Sequence, residues 1–171
     1  MLVIVCGLPG SGKTFLSGAL AKHINATVLS TDKIRKEVLK KPVYTKWERS
    51  LVYNIMYLIA KYLHSLDVNC ILDGTFNRER SRVEVLRQLQ LNPNQFYIVE
   101  CICPEDIILS RLLLRKNDYS DADISIYFKM KRIYEPVSYR HITVDTSQPP
   151  QQNINIILKA LSQSKLLNID K

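Results

Sequence analysis

Leu2 to Cys6 is an unbroken apolar run, short and partly β-branched, and it predicts a strand buried on both faces of a parallel sheet. Similar runs recur at Ala26 to Leu29, Val68 to Leu72, Phe96 to Ile102 and His141 to Val144. Helical spacing separates most of them. Lys13 to about His23 predicts the first helix, and a short one runs from Asp32 to Leu39. A long one opens at Thr45 or Lys46, where Leu51, Ile55, Leu58, Ile59, Tyr62 and Leu63 keep the 3.6-residue period. Glu79 to Leu91, Glu105 to Arg115, Asp121 to Ile133 and Gln151 to Leu161 predict the rest, with Pro104 and Pro150 suited to first turns. Strands alternating with helices predict an α/β sandwich around a mostly parallel sheet.

The 171 residues, without internal repeat or linker, predict a single domain over 1–171. An apolar fraction of 46% with 23% charge excludes a disordered or low-complexity chain. No apolar run approaches about 18 residues, and the apolar start meets a glycine-rich loop, so the expectation is a soluble, cytoplasmic protein with no membrane partner. Cys6, Cys70, Cys101 and Cys103 each sit in or beside an apolar run, as reduced, buried thiols do. Cys101 and Cys103 lack the spacing of a zinc site.

Charge adds a location. The chain carries a net +8, and between Lys33 and Ser50 the cations Lys33, Arg35, Lys36, Lys40, Lys41, Lys46 and Arg49 face only Glu37 and Glu48. An anionic partner fits that segment, although a solvated basic surface has the same composition. Tyr44 and Trp47 flank it, as rings that grip a base would; Tyr53 and Tyr57 fit a core. The three histidines have no partner spacing.

Gly7-Leu8-Pro9-Gly10-Ser11-Gly12-Lys13-Thr14 matches the phosphate-binding pattern G-x-x-x-x-G-K-[ST], after a strand and before a helix. Such a loop points successive N–H groups at an anion, and the helix that follows adds its positive dipole end. Leu8, Pro9, Gly10, Ser11, Gly12, Lys13 and Thr14 are therefore the candidate ATP contacts. Lys13 reaches the β- and γ-phosphates, and Thr14 is a candidate Mg²⁺ ligand. Asp73 closes an apolar strand in an acid, the form that holds Mg²⁺ or its water shell. Asp32, at the end of the second strand, either accepts the proton of an acceptor hydroxyl or caps the next helix. Arg111 and Arg115 stand four apart, so on one helix face two guanidinium forks would meet the charge of a transferring phosphoryl group.

With this loop at its start, a carboxylate after the second strand and arginines near residue 115, the chain resembles the small P-loop kinases. The nearest pattern is that of the kinase domain of polynucleotide kinases and the zeta-toxin and chloramphenicol phosphotransferase group. The resemblance covers nearly the whole chain. It implies a P-loop NTPase three-layer sandwich, with a five-stranded parallel sheet ordered 2-3-1-4-5, helices on both faces and the site at the carboxyl ends of the strands. The D-x-x-R pattern, matched by Asp32 and Arg35, implies a general base and a ligand for an acidic group on the acceptor. Thr75 and Asn77 are implied acceptor contacts, with Arg78, Arg80 and Arg82 either behind them or on a solvated helix start. Arg111 and Arg115 match the spacing of lid arginines, and Ser120-Asp121-Ala122 resembles a lid tripeptide, within a short lid at about 115–123 whose Ser120 would cap the next helix.

These readings converge on an ATP- and Mg²⁺-dependent phosphotransferase that moves the γ-phosphoryl group to a hydroxyl. The favoured acceptor is a nucleic-acid or nucleotide hydroxyl, an RNA or DNA end included. The alternatives are a small-metabolite or nucleoside-monophosphate kinase and an ATP-binding switch with slow hydrolysis.

Overall fold

The structure is a computed structural model, and it describes every residue except Asn92, 116–119 and 167–171. Part of the lid expected at 115–123 therefore lies outside the described residues. Five strands, β1 (Leu2–Cys6), β2 (Ala26–Ser30), β3 (Asn69–Asp73), β4 (Phe96–Ile102) and β5 (Ile142–Asp145), form one sheet in the order β2-β3-β1-β4-β5. Every pairing is parallel, with Ile4 opposite both Leu72 and Ile98. The expected order is borne out.

Both faces are covered. On one, Val52, Met56 and Ala60 of α3 (Lys46–Ser65) and Val85 of α4 (Glu79–Leu89) pack on Leu2, Ile4 and Leu72. On the other, Leu16 and Leu20 of α1 (Lys13–Ile24) and Ile154 and Ile157 of α7 (Pro150–Leu166) pack on Val3, Val5 and Val99. This double burial is why the strands read as continuous apolar runs. Three of the cysteines are buried and Cys103 is half-buried; all are free thiols. Burial pushes the Cys6 thiol up to about 11, so it behaves as a small hydrophobe. Among the described residues no helix is long and apolar enough to cross a membrane.

Several boundaries move. The helix α5 (Glu105–Leu114) stops one residue short of Arg115, and α6 (Ile124–Ile133) starts three residues later than expected. The cap of α6 is Asp123, whose carboxylate accepts from Ile126 N, and not Ser120. Three residues with capping side chains precede this helix, and packing of Tyr127 against Ile108 and Leu112 selects the start.

Of the two readings open for Arg82, the solvated helix start does not hold and the place behind the Thr75–Asn77 turn does. Arg82 is fully buried, and its guanidinium donates to Glu79, to Phe76 O at 2.6 Å and to the carbonyls of Glu135 and Pro136 at 2.6 and 2.8 Å. The side chain fastens the turn that carries Thr75 and Asn77 to the segment after α6. Arg82→Ala would strand three carbonyls and Glu79, at a cost of about 3–5 kcal/mol. Thermal melting should drop by roughly 10 °C or more; a melting point within 2 °C of wild type would contradict this role.

Candidate active site

The loop between β1 and α1 turns because Gly10 and Gly12 take φ of 80° and 78°, a region that side-chain-bearing residues rarely adopt. Lys13 crosses back over the loop and its ammonium donates to Leu8 O at 2.8 Å. Beside it Thr14 Oγ1 donates to Asp73 Oδ2 at 2.7 Å, which joins the first turn of α1 to the end of β3. Asp73 is buried, and burial holds its carboxyl above the usual carboxylate range against the opposing pull of Lys13 and Thr14.

Parallel strands present their carboxyl ends together, so one cavity collects residues distant in sequence. It measures about 260 Å³, and it is lined by Pro9, Gly10, Gly12, Lys13, Thr14, Asp32, Arg35, Asp73, Thr75, Asn77 and Arg115. Thus most of the residues singled out in the sequence stand around one space. Asp32 lies within the first turn of α2 (Thr31–Val38), whose N-cap is Ser30, so it is not the cap of that helix. Arg35 follows one turn later, nearly buried, with NH1 3.6 Å from Asp32 Oδ1. Two oxygen donors beside a phosphate loop, a hydroxyl and a carboxylate, suit Mg²⁺, which takes one or two carboxylates and completes its shell with phosphate and water. Among the described residues no cluster of three or more His, Cys, Asp or Glu could hold a metal by itself.

A second cleft of about 920 Å³ lies on the other side of the loop, lined by Gly10, Gly12, Phe15, Arg111, Arg115, Thr146 and Pro149. Arg111 is found here and not in the smaller cavity. It donates to Thr146 Oγ1 at 3.1 Å and Thr146 O at 2.7 Å, and Thr146 Oγ1 in turn donates to Ser11 O at 2.9 Å. Arg115 lines both spaces. Arg115 sits just beyond the last helical turn, with ψ of 124°, and together with Arg111 it lines the larger cleft.

Leu8 packs on the cluster of α5 and α6, and Ser11 Oγ is buried with no hydrogen-bond partner. Trp47 is exposed, and Lys33, Lys40, Lys41 and Lys46 are also exposed and do not line the cavity. Tyr53 and Tyr57 pack at the core, although Tyr53 also reaches the cavity wall. Arg49 of the basic segment and Asp121 of the lid tripeptide also line the cavity, and Thr146 was missed in the sequence. The position of Thr146, immediately after the fifth strand, was the signal available, since ligands sit at such ends.

The profile of the AAA domain family (AAA_33) matches residues 2–137. An uncharacterized protein of Mycobacterium tuberculosis is 25% identical over 165 residues, covering 90% of this chain and 33% of its own. The chain thus spans about a third of the length of the curated relatives it matches. Among solved structures, a sugar kinase from Janibacter sp. HTCC2649 superposes with a TM-score of 0.74 at 20% identity, over 94% of each chain. The Mycobacterium tuberculosis APS kinase CysC, in complex with AMPPNP and APS, gives 0.74 at 16% identity over 94% of this chain and 96% of its own. The fold is that of P-loop kinases.

Proposed function

From the premise that this chain belongs to the AAA domain family, we propose that it is an ATP- and Mg²⁺-dependent kinase that phosphorylates a hydroxyl group of an anionic acceptor. The observation that carries this reading is a carboxylate, Asp32, facing the same small cavity as Lys13, Thr14 and Asp73, with a larger cleft across the loop to take a nucleoside. A switch that only hydrolyses ATP has no need of a second chamber furnished with Asp32 and Arg35. The sugar kinase and APS kinase folds support the same reaction class.

In this scheme the P-loop N–H groups and Lys13 bind the β- and γ-phosphates. Thr14 and Asp73 would hold Mg²⁺, which when bound offsets phosphate charge as a Lewis acid. Asp32 orients the acceptor hydroxyl and takes its proton. The hydroxyl oxygen bonds to the γ-phosphorus, the bond from that phosphorus to the β,γ-bridging oxygen breaks, and ADP leaves with the electron pair. Arg115, which reaches both spaces, lies where charge spreads over the moving group, and Arg111 serves the nucleotide side. Thr75 and Asn77 line the acceptor side.

Incubation with γ-labelled ATP, Mg²⁺ and a panel of hydroxyl compounds, from polyol acids to nucleosides and RNA or DNA ends, tests the reading. Label should appear on an organic product. Release as inorganic phosphate alone, at a rate that no acceptor changes, would favour the ATP-binding switch.

A further inference from the structure

Tyr44 belongs to the loop between α2 and α3, and its backbone sits at φ 57°, in the left-handed region that a bulky residue rarely takes. The buried Glu48 holds it there. Its carboxylate accepts from Val43 N at 3.0 Å and from Tyr44 N at 2.5 Å. In Thr45-Lys46-Trp47-Glu48, the threonine caps α3 in the usual way by accepting from Glu48 N. The glutamate does not bond back to the cap residue, and two N–H groups of the preceding loop are gathered instead.

The loop so fixed delivers two contacts. The Tyr44 ring lies over the Arg35 guanidinium at 4.7 Å. The Tyr44 hydroxyl donates to Asp121, 77 residues away in sequence, and Lys36 contacts the same carboxylate at 2.8 Å. These two donors hold Asp121 below the usual carboxylate range. Tyr44, Arg35 and Asp121 all line the 260 Å³ cavity that contains Asp32.

The walls carry unspent positive charge. Arg35 is nearly buried and its Nε has no hydrogen-bond partner, while Asp32, at 3.6 Å, stands beyond hydrogen-bond length. Arg49, on the same wall, makes no ion pair among the described residues. Arg49 is partly buried and Arg35 is buried with an acceptor lacking at Nε, and a ligand that supplies one offsets the cost of that unmet donor. The volume lies under the roughly 300–1,000 Å³ of pockets that take drug-sized molecules, and the γ-phosphoryl end of ATP must share it.

Resting on the kinase reading, we propose that Tyr44, bridged to Asp121 and stacked on Arg35, is the specificity-determining wall of the acceptor chamber. It confines the acceptor to a small alcohol bearing one acidic group, a carboxylate or a phosphate, held by Arg35 and Arg49. In the transfer the acceptor hydroxyl gains the γ-phosphoryl group from ATP, its proton goes to Asp32, and ADP leaves. The polynucleotide end that the basic segment suggests is disfavoured, because the exposed Lys33, Lys40, Lys41 and Lys46 stand outside the chamber.

Two measurements test this. With a non-hydrolysable ATP analogue and Mg²⁺ saturating the P-loop, sulfate is titrated by thermal shift as a probe of the anion subsite. Wild type should be stabilised, Tyr44→Ala and Arg35→Gln should weaken apparent sulfate affinity at least tenfold, and Tyr44→Phe, which keeps the ring on Arg35, less than threefold. With labelled ATP, glycerate, gluconate and glycerol 3-phosphate are compared with glycerol and with a ten-residue 5′-hydroxyl oligonucleotide. An acidic alcohol labelled, with KM raised at least tenfold and kcat within threefold in Tyr44→Ala, supports the proposal. A labelled oligonucleotide, or sulfate affinity unaltered by Tyr44→Ala, overturns it. Sulfate protection that depends on Tyr44 and Arg35, accompanied by no labelled product at all, would keep the anionic chamber and remove the kinase reading instead.

Discussion

Lys13→Ala is expected to lower phosphoryl transfer by roughly 10³-fold or more and to weaken ATP binding, since the loop loses its side-chain cation where β- and γ-phosphate charge converges. The fold should survive, because Lys13 is only partly buried and its one described bond is to Leu8 O within its own loop. Residual activity should also change its pH profile. Burial raises the Asp73 carboxyl and Lys13 is the strongest influence lowering it, so removal of the ammonium pushes Asp73 further up. A group that must be ionised to hold metal then ionises at higher pH, and the acid limb of the profile should move in the alkaline direction. Turnover at the wild-type level would take the loop out of the mechanism.

The second large effect concerns Asp32. Replacement by asparagine keeps shape and removes the proton acceptor, so kcat should fall about 10²-fold or more with ATP affinity little changed. Stability should change little, because Asp32 caps no helix and its pairing with Arg35, at 3.6 Å, is long. A variant that keeps its kcat but melts earlier would make Asp32 a structural residue. The split between kcat and melting temperature therefore separates the two roles that the sequence left open.

The strands and the phosphate loop were legible because their signals are local, whereas the sheet order followed only from the resemblance to the small P-loop kinases. A doubly buried strand is a short apolar run, and the loop's glycines and lysine stand within eight residues at a strand–helix junction. Asp32 and Asp73 were legible for the same reason, each ending or following such a run. What escaped depends on pairs remote in sequence. Asp121 meets Tyr44 across 77 residues, and Thr146 meets Ser11 across 135. Nothing near either residue records the partner. Arg82 was left open for the same reason: a charged residue in a run of arginines at a helix start reads equally as solvated or as backing the turn before it, and three carbonyls from two other segments draw it inside. Arg111 and Arg115 share a helix face only while the helix lasts; both line the larger cleft, and Arg115, one residue past the helix end, also lines the smaller cavity.

The stretch that matches the family profile ends at residue 137, yet Thr146 lies beyond it and ties Arg111 to the carbonyl of Ser11. The shared stretch is thus smaller than the working unit. A fragment trimmed to the match would lose β5, α7 and one flank of the larger cleft while retaining the loop motif intact. Recognition of a family by its signature and possession of the complete cleft beside the phosphate loop are, in this protein, properties of different lengths of chain.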